Sequence, residues 1–115
     1  MDDLGERAMI LRIYVGEADK HGHEALYKHL VKLLRERGLW GATAFRGVMG
    51  FGAKSVLHAA SPLRLSQDLP ILIEAVDRPE KIEAVLPEVA ALVAEGLVLT
   101  EDVRVRKHSP RRPSP

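Results

Sequence analysis

The sequence predicts an α+β domain: a four-stranded antiparallel sheet with two helices on one of its faces. Three observations predict it. Four segments, 8–16, 41–48, 68–77 and 97–107, carry strand patterning. Two others, 23–38 and 77–96, place their apolar residues at helical spacing. They alternate as strand, helix, strand, strand, helix, strand, and one connection alone, between the second and third strands, is long.

In the first strand Met9, Leu11, Ile13 and Val15 fall on one face, and Ile10, Arg12 and Tyr14 on the other. The first helix repeats Leu26, Leu30, Leu33 and Leu34, and Gly38 follows as a C-cap after Arg35 and Arg37. Asp19 offers it an N-cap. The second strand, GATAFRGV, sets Thr43 and Phe45 on one face and runs into RGVMGFGAK. Part of the long connection, SVLHAA, is a candidate short strand. Pro70 opens the third strand, where no ladder donor is required. Asp77-Arg-Pro-Glu80 reads as a capping box for the second helix, whose stripe is Ile82, Val85, Leu86, Val89, Leu92 and Val93. Pro87 predicts a kink or restart there, and Gly96 its end. The last strand is expected to turn Val103 and Val105 inward, with Arg104 and Arg106 outward.

This order is the ferredoxin-like βαββαβ arrangement, with a long loop after the second strand. It leaves one sheet face bare, with Ile10, Leu72 and Val76 on it, and that face predicts self-association. A single domain is expected over residues 1–108, with a basic, Pro-rich flexible tail at 109–115. The net charge of +1 hides an asymmetry. Five of the 17 basic residues lie from Arg104 onward with no acid among them, so the rest carries 12 basic against 16 acidic residues. Such a tail can meet phosphate, but a solvated end is its ordinary role, and no nucleic-acid partner is expected. The absence of cysteine excludes disulfides, thiolate catalysis and Cys-type zinc sites. No apolar run reaches the roughly 20 residues of a membrane span, and the polar start MDDLGERA is unlike a signal peptide. The expected location is the cytoplasm.

Three motifs together carry a family likeness: Gly16-Glu17, G-A-T-x-x-R-G-x-x-G-F-G from Gly41 to Gly52, and L-S-x-D-L-P from Leu65 to Pro70. The chain resembles, from about Leu11 to about Val105, an uncharacterised prokaryotic family related to the PII nitrogen-regulatory signalling proteins. The resemblance implies a homotrimer with the bare sheet faces at its centre. It implies an effector loop after the second strand, like the PII T-loop, and adenine nucleotides bound between subunits at the loop's base. It also implies a protein partner for the loop, such as a membrane transporter. The modifiable tyrosine of PII loops has no counterpart, since no tyrosine lies between Arg46 and Leu69.

The candidate ligand-binding residues follow. Gly47, Gly50 and Gly52 permit positive φ and close approach, so their amides are candidates for an anion nest beside Arg46, Phe51 and Lys54. The GxxxxGK[ST] spacing of a P-loop is absent. His58 and Arg64 lie further along the same segment. Arg104 and Arg106, with Lys107, are placed to face a neighbour's glycine loop in an oligomer. The bland alternatives are a bulged hairpin and a solvated charged strand. His21, His23 and His29 motivate an alternative, a metal-binding or metal-tolerance trimer, but His23 and His29 are six apart, on different helical faces, and no third ligand is evident. Glu17, Asp19 and Asp68 form no recognisable catalytic constellation, and no enzyme activity is expected. Trp40, just past the first helix, is read as a packing or interface residue.

Overall fold

The computed structural model describes residues 5–52, 58–59 and 68–110. The elements run β1 (Glu6–Gly16), β2 (Lys20–His21), β3 (Glu24–Ala25), α1 (Leu26–Glu36), β4 (Gly41–Arg46), β5 (Met49–Gly50), β6 (His58–Ala59), β7 (Pro70–Asp77), α2 (Pro79–Leu92) and β8 (Leu97–Val105). The main sheet has the order β4-β7-β1-β8, every pair antiparallel. This is the expected ferredoxin-like topology.

The core lies between one sheet face and both helices. Leu11, Ile13 and Ile73 from the strands meet Leu30, Leu34, Ile82 and Val89 from the helices, all fully buried. Full burial of a side chain of this size contributes about 1.5–3 kcal/mol, so these residues hold the two layers together. The alternation in β7, with Ile71, Ile73 and Ala75 buried and Leu72, Glu74 and Val76 half-buried, keeps the register unambiguous.

Helix α1 ends as its sequence suggests. Gly38 has φ of 78°, its amide donates to the Arg35 carbonyl, and the Leu39 amide donates to Leu34. That pair of bonds is a Schellman stop. Arg37 leaves the helix end and clamps α2 instead, with two bonds of 2.8 and 2.6 Å to Glu88.

Four local expectations are corrected. The capping box does not form: α2 begins after Arg78 with no side-chain cap, because the Asp77 carboxylate is buried and accepts the amides of Arg78 and Trp40. Asp19 does not cap α1 with its side chain, which accepts the Gly16 amide and closes the turn after β1; its carbonyl receives the Leu26 amide. Helix α2 does not restart at Pro87 but is continuous through it, and it ends at Leu92 before Gly96. Finally, β8 registers Val103 against Ala8 and Val105 against Glu6, on the side of Ile10 and Arg12, whereas Arg104 pairs with Arg7. Directly opposed residues share a face. The two valines thus belong to the helix-free side, and the inward assignment is reversed.

That helix-free face has a distinct grain. Phe45, Leu72, Tyr14 and Leu97 stand in one row across all four strands, with Phe45 and Leu97 about half exposed. Beside the row, Arg12 bridges Glu74 (3.1 Å) and Glu101 (2.7 Å). Glu101 first, then Glu74, hold the Arg12 guanidinium above its ordinary range.

Candidate functional site

The candidate residues separate to opposite ends of the sheet. Strand β1 has eleven residues. At about 3.3 Å each, it sets the two ends roughly 30 Å apart.

At the first end the chain leaves β4 through Arg46 and Gly47 and returns through Asp68, Leu69 and Pro70. Both roots are fastened to the turn after β1. The Glu17 amide donates to the Leu69 carbonyl at 2.8 Å, and the Ala18 amide to the Asp68 carboxylate at 2.8 Å. The Arg46 guanidinium donates to Glu17 at 2.5 Å. The Gly47 amide is donated to the Pro70 carbonyl at 2.7 Å, so it is not presented to a ligand. Nor do Gly47, Gly50 and Gly52 have positive φ. The glycines at 47 and 50 serve close approach: a Cβ would stand 2.7 Å and 3.1 Å, respectively, from the Pro70 ring. The anion nest expected from these glycines is therefore not the conformation adopted. Arg46 places a cation at this end, and its side chain is 57% exposed.

Beyond the root, β5 pairs with β6, Met49 with Ala59 and Gly50 with His58. The short strand expected within SVLHAA is thus present at His58–Ala59. Val48, Met49 and Phe51 are largely exposed. Lys54 and Arg64 lie outside the described residues.

At the opposite end, the start of β1, the residue before β4 and the segments just past β7 and β8 line an open cleft of about 480 Å³. Trp40, Arg78, Arg106, Lys107 and His108 line it. The Trp40 ring lies 4.3 Å from the His108 ring, centroid to centroid, at an interplanar angle of 34°. The Arg78 guanidinium sits over the indole at 5.7 Å, and its Nε donates to Glu6 at 3.1 Å. Buried Asp77 fixes the Trp40 backbone through its amide at 3.0 Å. Arg106 was anticipated here. Trp40, Arg78 and His108 were not, and an isolated Trp after a helix end gives no signal until the C-terminal segment is seen to reach it. Arg104 lies on β8 and is not among the residues lining the cleft, whereas Arg106 follows just past the strand's end.

The histidines occupy a third place. The β2–β3 turn folds His21 to within 4.1 Å of His29, ring to ring, and His29 Nδ1 lies 3.3 Å from Glu24. Glu24 is also paired with Lys32, which holds its carboxyl below the ordinary range, with His29 adding to the effect. Among the described residues no three donors are grouped as a metal site would require.

The fold is that of PII-like proteins. Over 89% of this chain and 91% of its own, a PII-like protein from Thiomonas intermedia K12, CPII bound to ADP and bicarbonate, superposes with a TM-score of 0.60 at 21% identity. CutA1 from Oryza sativa superposes with a TM-score of 0.56 at 10% identity, over 93% of this chain and 87% of that one. Such low identities show the fold alone. Residues 8–105 match the DUF190 family, described as Uncharacterized ACR, and the chain belongs to it. A UPF0166 protein of Methanocaldococcus jannaschii is 40% identical over 102 residues, 88% of this chain and 94% of the relative. One from Aquifex aeolicus is 35% identical over 96 residues, 84% and 90% of the two chains. Among the described residues no helix is long and apolar enough to cross a membrane.

Proposed function

We propose that the protein is a PII-like, non-enzymatic cytoplasmic regulator that assembles as a homotrimer and binds a small anionic metabolite, an adenine nucleotide, between subunits. One observation carries the reading: the cationic residues lie at two ends of one protomer. Arg46 is at the loop root; Arg104, Arg106 and Lys107 are at the end of β8, and Arg106 and Lys107 line a cleft with Trp40. A ligand touching both sets must lie where the loop root of one subunit meets the β8 end of the next. The apolar row on the helix-free sheet face gives the subunits a reason to associate. The nucleotide in the CPII structure is a likeness that supports the ligand class.

Ligand contact at the root would order the loop at 49–67, including Lys54, His58 and Arg64, for a protein partner such as a membrane transporter. This is order induced by phosphate contacts. Calorimetric titration of the full chain with ADP, ATP and AMP tests the reading. Micromolar binding is expected, and no heat at millimolar nucleotide would overturn it. The metal-binding alternative has no comparable observation in its favour, because Glu24 beside the His21–His29 pair is already engaged by Lys32.

A further inference from the structure

We propose that Trp40 is the platform on which the ligand's planar ring stacks, and that His108 occupies this platform until the ligand displaces it. The proposal rests on the nucleotide-binding reading and names the group that would recognise the base.

Trp40 is the largest side chain type and the sole tryptophan of the protein, yet it is not part of the hydrophobic core. It is half-buried, and its ring contacts are His108 and Arg78. A large indole held at a cleft wall among cations has the chemistry of a base-stacking surface. Stacking of a base on an aromatic side chain contributes about 1–3 kcal/mol. Its position is fixed from behind, since Asp77 holds its amide and the Schellman stop of α1 sets the direction of the chain just before it. The cleft volume of about 480 Å³ is within the range that holds a small ligand. Arg106 and Lys107 on the cleft wall are the cations for the ligand's phosphates.

His108 stands where the base would stand. At 4.3 Å and 34° its imidazole makes a close, tilted ring contact with the indole. It lies three residues past the end of β8, so its departure breaks no rung of the sheet. The charged groups around the pair are Arg78 with its partner Glu6, Asp77 behind Trp40, and Arg106 and Lys107 beside it.

Because Trp40 is the sole tryptophan, its emission reports this contact directly. The test uses the full chain with ADP, and with inorganic pyrophosphate as a probe lacking a ring. ADP is expected to change Trp40 emission and pyrophosphate to leave it unchanged. Trp40→Leu should weaken ADP about tenfold, with pyrophosphate binding unaffected and most of the ADP loss restored by Trp40→Phe. His108→Ala should tighten ADP several-fold. Calorimetric ADP binding with unmoved emission and an unweakened Trp40→Leu variant would overturn the platform while leaving the nucleotide reading intact. An ADP affinity that is identical in wild type and His108→Ala would overturn the occupancy by His108. No heat from either probe would overturn the nucleotide reading, and this inference with it.

Discussion

Asp77 is the residue whose role the sequence most misdirects. Its place before Pro79 and Glu80 reads as a cap, but burial decides otherwise: a carboxylate at 3% exposure is placed against the amides of Trp40 and Arg78. Asp77→Ala should therefore destabilise the fold by about 2–3 kcal/mol in urea denaturation, because two donors lose a charged acceptor. Gly96 makes a second residue-scale prediction. Its φ is 148°, and a Cβ there would overlap the Tyr14 carbonyl oxygen. Gly96→Ala should cost roughly 2–4 kcal/mol, whereas Gly22→Ala, also at positive φ but in open space, should cost about 1 kcal/mol. The glycines at 47 and 50 were visible in the sequence as special positions. Their reason was not, since closeness to the Pro70 ring depends on a residue far along the chain, beyond the whole loop.

At the scale of elements, the apolar periods of β1, α1, β7 and α2 were legible because each buries one face against the same core. The short pairings β2–β3 and β5–β6 carry little apolar signal, being two-residue strands, though the second was sensed within SVLHAA. Helix α2 stays continuous through Pro87 because Ile82, Val85 and Val89 are anchored in the core on either side of it. Pro87 itself is exposed. Pro87→Ala should then raise stability by about 1–3 kcal/mol, seen as a higher urea midpoint. The Arg37–Glu88 clamp between the helices responds to pH. Arg37 holds the Glu88 carboxyl below its ordinary value of 4.5. Stability from this pair is present above that value and is lost as pH falls through the lower, folded-state value. Urea midpoints measured at falling pH should show a smaller acid loss in Glu88→Gln than in wild type. An identical slope would remove the pair from the acid response.

For the whole molecule, the sequence revealed a bare sheet face but not its grain, because cross-strand rows depend on register. The row Phe45, Leu72, Tyr14, Leu97 brings together residues from four strands. If this face joins the subunits, Leu72→Asp should shift the mass in light scattering from three chains of 12.7 kDa to one, with the helical signal retained. An unchanged trimer would place the interface elsewhere. The split of Arg46 from Arg104 and Arg106 was equally hidden, since sequence order does not show which end of a strand a residue occupies until the strand directions are set.

Subunit complementation tests the shared cleft most directly. Arg46→Ala and Arg104→Ala/Arg106→Ala are made as separate full-length variants, each titrated with ADP, then co-refolded as an equal mixture. Each variant alone should lose binding, and the mixture should recover about a quarter of the wild-type sites, from interfaces that pair one intact loop root with one intact β8 end. Two inert variants whose mixture stays inert, or an Arg46 variant that binds like wild type, would contradict a site built from both ends of neighbouring chains.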